Sequence, residues 1–172
     1  GHFNIATPLD AVHFAVLGAG ILAQTLASVA VAVALWRQPF VDRARGWALR
    51  TGMTLTVAGA ATGGLMTQPT AAQLEAVQQG ERLTIAGAHT VGAPDGGPGL
   101  PGTGWSLEHG DLRIPHFVGL HALQVLPLVA LVAGRLRRHD GARSRLVLVA
   151  AGSYAGLFAV LLSQALRGQP LL

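Results

Sequence analysis

Histidine is the residue type through which this chain could do chemistry, because the sequence contains seven histidines and no cysteine. Neutral imidazole is the commonest nitrogen ligand of protein-bound metals, and histidine also exchanges protons near neutral pH. His13, His116 and His121 lie in long apolar segments, where a polar side chain without a partner is costly. These three are therefore the candidate functional residues. The other four fall outside these segments: His2, His89, His109 and His139.

The spacing of these histidines limits what they can bind. On a helix, His116 and His121 differ by about 140° around the axis and by ~7.5 Å along it, so one metal ion cannot easily reach both. His121 and Gln124 are three residues apart and share a face, which His13 from another helix could meet. A His13–His121 pair would suit a low-spin haem b, with Gln124 beside it. The candidate cofactor-binding residues are thus His13, His121 and Gln124, and the candidate metal ligands are His13, His116 and His121.

Two other roles for these histidines compete with cofactor binding. A histidine in a membrane helix can simply hydrogen-bond to a neighbouring helix, which contributes ~0.6 kcal/mol. It can also line a path for protons or a small solute, although no carboxylate lies in the middle of any apolar segment, as proton-coupled carriers usually require. Copper(I) is disfavoured because the chain has two methionines and no cysteine. The structural role is the leading interpretation. For the group of Asp111, Arg113 and His116 at the start of the third apolar segment, a local ion pair that holds the loop is likewise expected before a binding site.

The composition indicates that membrane helices must position these residues. Apolar residues make up 51% of the chain, charged residues only 12%, and the mean hydropathy is +0.46, whereas soluble domains carry roughly 25% charged residues. Four segments are nearly free of charge and long enough, at ~1.5 Å per residue, to cross a hydrocarbon layer of ~30 Å. The sequence therefore predicts one all-α membrane domain over residues 1–172, a bundle of four transmembrane helices at about 11–36, 47–66, 115–134 and 146–166.

The arginines predict the orientation of these helices. Loops rich in Lys or Arg stay in the cytoplasm. The connections 37–50 and 135–145 contain nine of the twelve arginines, and the rest of the chain contains six of the eight acids. Both termini and the long 67–114 loop are therefore predicted to be extracytoplasmic.

Local patterns predict further structure. Thr70-Ala71-Ala72-Gln73 has the form of a capping box and predicts a short helix that ends at Gly80. Residues 92–102 are dense in Gly and Pro, which suits either a flexible linker or a fixed lid over the helix ends. Within the spans, the Gly59/Gly63 and Gly152/Gly156 pairs are small-xxx-small patches, which predict faces for contact between helices or with other membrane subunits.

One stretch of the chain resembles a known group of proteins. The run GDLRIPHFVGLHALQVLP at 110–127, with GPGLP at 97–101 before it, is similar to a motif of uncharacterised bacterial multi-helix membrane proteins. The resemblance covers about 60 residues; it implies a membrane fold and no particular reaction. Members of the group are longer, which predicts that this chain is a fragment of a longer one.

The sequence carries no recognisable catalytic motif. Hydrolase, phosphate-loop and dinucleotide signatures are absent, and the arginines are not arranged along one face as in nucleic-acid-binding proteins. The leading hypothesis is a non-enzymatic structural or accessory subunit, with the lipid bilayer and other membrane subunits as partners and no nucleic acid. The first alternative is a redox carrier of haem b, and the second is a component of a small-solute or proton pathway.

Overall fold

The protein is mostly helical in a computed structural model, which describes residues 3–136 and 139–171. Outside these residues lie one of the seven histidines, His2, and two of the arginines that predict the orientation, Arg137 and Arg138. The elements follow one another as α1 (Pro8–Arg37), α2 (Arg43–Met66), α3 (Ala71–Gln78), β1 (Thr90–Val91), β2 (Gly110–Asp111), α4 (Arg113–Leu136) and α5 (Asp140–Leu166).

Three helices are long and apolar enough to cross a membrane, namely α1, α4 and α5. This confirms the prediction of a mostly helical protein, and it supports the prediction of a membrane protein. The helix α2 is as long as α4, with 24 residues each. Its Arg, Thr and Gly residues make it less apolar, so its crossing of the membrane stays a prediction. All four long helices begin before the predicted spans, and at α1 and α2 a side-chain cap lies in the polar flank. At α1, for example, Thr7 and Asp10 form a reciprocal capping box.

The core lies between α2, α4 and α5. Its buried cluster consists mainly of small residues, which allow close approach of helix backbones: Ala44, Ala48, Leu126, Ala130, Val147 and Ala151. The helices α2 and α4 come closest at Gly59 and Gly119, where a Cβ atom added to Gly59 would lie 2.7 Å from the Cα of Gly119. The predicted Gly59/Gly63 patch is therefore occupied by α4 of the same chain.

The helix α1 lies at the edge of this core. All 30 of its residues are described, and none of them is buried. Near its N-terminal end, Phe14 packs on a small cluster that contains Phe3, Met66 and Leu112. Its other end is held by α2, where Trp36 Nε1 donates to Thr54 Oγ1 over 3.1 Å. Most of its surface is left for lipid or for other helices.

Arg50 joins the ends of α1 and α2. Its guanidinium lies 5.3–5.8 Å from the ring centroids of Trp36, Phe40 and Trp47. It also donates to two carbonyls at the end of α1, those of Leu35 (2.9 Å) and Gln38 (2.7 Å). The charge is thus held between aromatic faces and the negative end of a helix dipole.

The long loop between α2 and α4 is folded through hydrogen bonds. The predicted capping box is confirmed, since Thr70 and Gln73 bond each other's backbone at the start of α3. The chain also contains a little β structure that an all-α prediction leaves out. The strands β1 and β2 are antiparallel with Thr90 opposite Asp111, and isolated bridges join Asn4 to Ile85 and Gly99 to Ser106.

Candidate functional site

A buried carboxylate directly before α4 organises the loop between α2 and α4. Asp111 is 1% exposed, and it accepts hydrogen bonds from the backbone N–H groups of Ser106 and Arg113, both at 2.9 Å. The Arg113 side chain clasps the same carboxylate, with Nε at 3.0 and 3.2 Å from its two oxygens and Nη2 at 2.6 Å from Oδ2. The ion pair expected between these two residues is present.

A second carboxylate and a histidine extend this network. His89 Nδ1 lies 3.2 Å from Asp95 Oδ1 and 4.0 Å from Asp111 Oδ1. Asp95 also accepts the backbone N–H groups of His89 and Thr90. The pairing of β1 with β2 brings this imidazole to the buried pair, because it sets Thr90 opposite Asp111. Two acids, one arginine and one histidine therefore meet at the N-terminal end of α4.

Electrostatics keep Asp111 ionised. Burial by itself would raise the pKa of its carboxyl group, because a charge is poorly solvated inside the protein. The hydrogen bonds from the Arg113 side chain, from Ser106 N–H and from Arg113 N–H outweigh burial, and the pKa of Asp111 lies below its ordinary value of 3.8. The carboxylate is thus an anion at every physiological pH.

A cavity of about 360 Å³ lies beside this network. Its polar lining comes from the strand and loop residues around α4: His89, Thr90, Ser106, Glu108, His109 and Arg113. A larger groove of about 1030 Å³ adjoins it and shares His89 and Thr90, but it is lined mainly by small and apolar residues such as Phe3 and Ile85. The polar cavity is the better candidate for a site because charged and hydrogen-bonding groups converge on it.

His116 takes a structural position away from this cavity. Its Nδ1 lies 2.7 Å from the carbonyl oxygen of Gly59, so Nδ1 carries the proton and donates it, because a carbonyl can only accept. The ring fills the space beside Gly63, where an added Cβ would lie 2.8 Å from Cε1. The helices α2 and α4 are therefore joined by this hydrogen bond, as the leading interpretation of the membrane histidines expects.

His121 and Gln124 lie on an exposed face of α4. His121 Nδ1 donates to the carbonyl of Phe117 on its own helix over 2.8 Å. Its ring stacks on that of Phe117 with centroids 4.0 Å apart, and Phe117 in turn meets Trp105 edge-on at 5.7 Å. The structure thus gives α4 a column of rings that faces away from the core.

His13 is exposed on α1. Across residues 3–136 and 139–171, no three histidine, aspartate or glutamate side chains are grouped so that they could hold a metal ion. The proposed metal set of His13, His116 and His121 is not assembled there, and His116 is engaged with Gly59. Pairing of His13 with His121 and Gln124 around a haem stays a prediction.

The network around His89 is not predicted from the sequence. The sequence places Asp111 with Arg113 and His116, whereas in the structure the histidine beside the ion pair is His89, 22 positions before Asp111 in the chain. The available signal was the pair of polar clusters, 89–95 and 106–113, at the two ends of a Gly- and Pro-rich run. Comparison with known proteins adds no further guide to this site, because no protein-family model, curated protein or solved structure matches the sequence.

Proposed function

We propose that the protein is a non-enzymatic subunit of a membrane assembly, and that it joins its neighbours through α5. The carrying observation is a stripe of small residues that faces away from the core. Gly152 and Gly156 are exposed, and a Cβ atom added to either would meet nothing within 4 Å in the part of the chain that the structure describes. The stripe continues in Val149 and Val160, which are 69% and 63% exposed.

Such a stripe favours contact with another helix. Lipid chains are as apolar as leucine, so membrane helices associate through close packing, which glycine at every fourth position permits. Of the two patches predicted from the sequence, Gly59/Gly63 is filled by α4 and His116. The Gly152/Gly156 face is the one still available to a partner.

The proposal includes four crossings of a bacterial cytoplasmic membrane, with the termini and the 67–112 loop outside. The packing of α2 supports the fourth crossing, because α2 lies against α1, α4 and α5, each of which is apolar enough to span. Its 24 residues are long enough to cross the bilayer beside these three helices. The arginine-rich connections support the orientation.

Native mass spectrometry from mild detergent tests the subunit proposal. The wild-type protein should release as an oligomer or together with another chain, and a double Gly152→Leu, Gly156→Leu variant should release alone. Gly18→Leu is the matched control, because Gly18 is also on a spanning helix with nothing within 4 Å of its Cβ position. A wild-type protein that is always a lone monomer would contradict the proposal.

Binding of haem b is the second candidate, and the hydrogen bond of His121 favours it. Metal-bound histidines usually donate one ring N–H to a carbonyl or carboxylate, which leaves the other nitrogen as the ligand. With Nδ1 donating to Phe117, Nε2 of His121 is the nitrogen left to act as a ligand.

An absorption spectrum of protein purified from haem-replete cells tests this candidate, because a low-spin haem gives a Soret band and a sharp reduced α-band. A colourless preparation ends this candidate, and a haem that survives both His13→Ala and His121→Ala excludes those ligands.

A further inference from the structure

From the geometry around Asp111, we infer that the polar cavity at the outer end of α4 binds an oxyanion, either a carboxylate or a phosphate. The inference is independent of the proposed assembly, since the cavity belongs to the loop and the start of α4 and the stripe belongs to α5. It starts from the arginine that lines the cavity.

Arg113 is held so that part of its guanidinium remains available. Nε and Nη2 are used by the Asp111 carboxylate, and Nη2 also donates to the carbonyl of Gly104. In residues 3–136 and 139–171, no hydrogen bond is made by Nη1, which lies near the Gly104 part of the cavity wall. Because Asp111 fixes the planar guanidinium, the remaining donors are preorganised for a planar or tetrahedral oxyanion.

Gly104 makes this arrangement possible. Its φ of +67° lies in the left-handed region, which a side chain would strain. This backbone turn presents the Gly104 carbonyl to Nη2 at 2.6 Å. Hydrogen bonds to Asp111 and to the Gly104 carbonyl therefore fix the orientation of the guanidinium beside the cavity.

Two more groups on the cavity wall can donate hydrogen bonds. Ser106 Oγ accepts the backbone N–H of His109 at 3.0 Å, so its hydroxyl proton is free to be donated to a ligand. The His109 ring lines the same cavity and has no hydrogen-bond partner in the described part of the chain. Among the residues that the structure describes, Glu108 is the single acid that lines this cavity, and it is exposed. Hydrogen-bond donors therefore outnumber carboxylates there.

Charge complementarity thus favours an anion over a cation. The charge of Asp111 is fully committed, since its oxygens accept two backbone N–H groups and the Arg113 fork. A cation entering the cavity would meet the free edge of a guanidinium, whereas an oxyanion would meet donors. The cavity opens at the outer end of a helix apolar enough to span a membrane, so the oxyanion could come from a soluble anion or from a lipid headgroup.

Equilibrium dialysis with radiolabelled inorganic phosphate, on the full chain in neutral detergent, tests for a soluble anion. The expected result is saturable binding at one site, with a Kd of about 1 mM or tighter. His109→Ala should weaken binding about tenfold, because it removes one donor to a charged ligand. Glu108→Gln should tighten it about threefold, because it removes a nearby like charge.

The variants avoid the ion pair on which folding of the loop depends. Substitution of Arg113 would also release the buried Asp111, so loss of binding there would be ambiguous. His139→Ala is the matched control, because this exposed histidine precedes α5 and makes no side-chain capping bond. Phosphate binding should be unchanged in it.

Nanodiscs distinguish a lipid headgroup from a soluble anion. The protein is placed in phosphatidylcholine with added phosphatidylglycerol, and retained lipids are counted by native mass spectrometry. If the ligand is a headgroup, wild type retains phosphatidylglycerol and His109→Ala loses it, while free phosphate binds weakly or not at all. The inference is overturned if phosphate shows no saturable binding and lipid retention does not depend on His109, or if His109→Ala and His139→Ala behave alike in both measurements.

Discussion

At the scale of single residues, Asp111 is the buried charge around which the loop before α4 is arranged. It is one of three buried polar or charged side chains among the described residues, with Thr62 and Ser144. The backbone N–H of Ser106 and both the backbone and side chain of Arg113 converge on its carboxylate. Loss of this one charge would leave several donors without an acceptor.

Substitution of Asp111 by Asn should therefore destabilise the protein. The neutral amide cannot balance Arg113 or accept all of the hydrogen bonds, and we expect the free energy of unfolding to fall by about 2 kcal/mol. The estimate is at the low end for a buried ion pair because the Arg113 side chain is 30% exposed. Unfolding by SDS in mixed micelles measures the change. Glu75→Gln, on the exposed side of α3, should change stability by less than about 0.5 kcal/mol, and equal losses in the two variants would contradict the role of Asp111.

The lowered pKa of Asp111 also predicts how stability depends on pH. A carboxyl group whose pKa is lower in the folded protein than in the unfolded chain stabilises the fold above the unfolded value, and this contribution is lost as the pH falls through the folded pKa. Because the ordinary value is 3.8, the contribution should be constant from pH 8 to about 5 and lost below about 4. Melting temperature as a function of pH measures it. In Asp111→Asn, the acid-induced loss should be smaller than in wild type.

At the scale of elements, hydropathy predicts where the helices lie in the sequence, but it does not predict which residues of different elements are in contact. In a membrane only a helix or a closed barrel satisfies every backbone group, so a long apolar run already specifies a helix. The helix ends were placed less well, because caps such as Thr7 and Asp10 lie beyond the apolar run. The site was predicted only in its local pair, Asp111 and Arg113. The approach of His89 depends on the register of β1 against β2, which two-residue strands do not reveal in sequence.

The crossing of α2 and α4 predicts a marked difference between two glycines of α2. A Cβ at Gly59 would lie 2.7 Å from Gly119 backbone atoms, whereas one at Gly64 would meet nothing within 4 Å. Gly59→Ala should therefore lower the free energy of unfolding by about 1–3 kcal/mol through overpacking. Gly64→Ala should leave it unchanged or raise it slightly, since alanine favours helix. The same unfolding titration compares the two, and a loss in Gly64→Ala as large as in Gly59→Ala would speak against this packing.

At the scale of the whole molecule, apolar surface and polar loop are separated. The exposed large apolar side chains are concentrated on α1, α4 and α5, while the cavity and its charges lie in the loop and at the start of α4. This division fits a protein embedded in lipid with a folded cap on one side. The loop between α2 and α4 is held by hydrogen bonds and ion pairs, so its stability should depend on pH. The stability of the helix bundle should depend on side-chain packing instead.

The four-crossing topology can be checked by labelling, because the chain has no cysteine of its own. A single cysteine in place of the exposed Glu108 should react with an impermeant maleimide added to intact cells. One in place of the exposed Arg145, near the start of α5, should react only after the membrane is made permeable. The two positions are the controls for each other. Equal reaction at both in intact cells would refute the orientation.

The arrangement around Arg50 has a consequence for biogenesis. An arginine within a membrane helix raises the free energy of insertion by ~2.5–3.5 kcal/mol at the helix centre, and by less near the boundary. Three of the partners that offset this cost, Trp36 and the carbonyls of Leu35 and Gln38, come from α1 and its end. During synthesis α1 emerges first, so the acceptors are already in place when Arg50 reaches the translocon. If α2 crosses the bilayer as proposed, α1 and α2 should therefore insert together as a helical hairpin in which α1 supplies hydrogen-bond acceptors for Arg50.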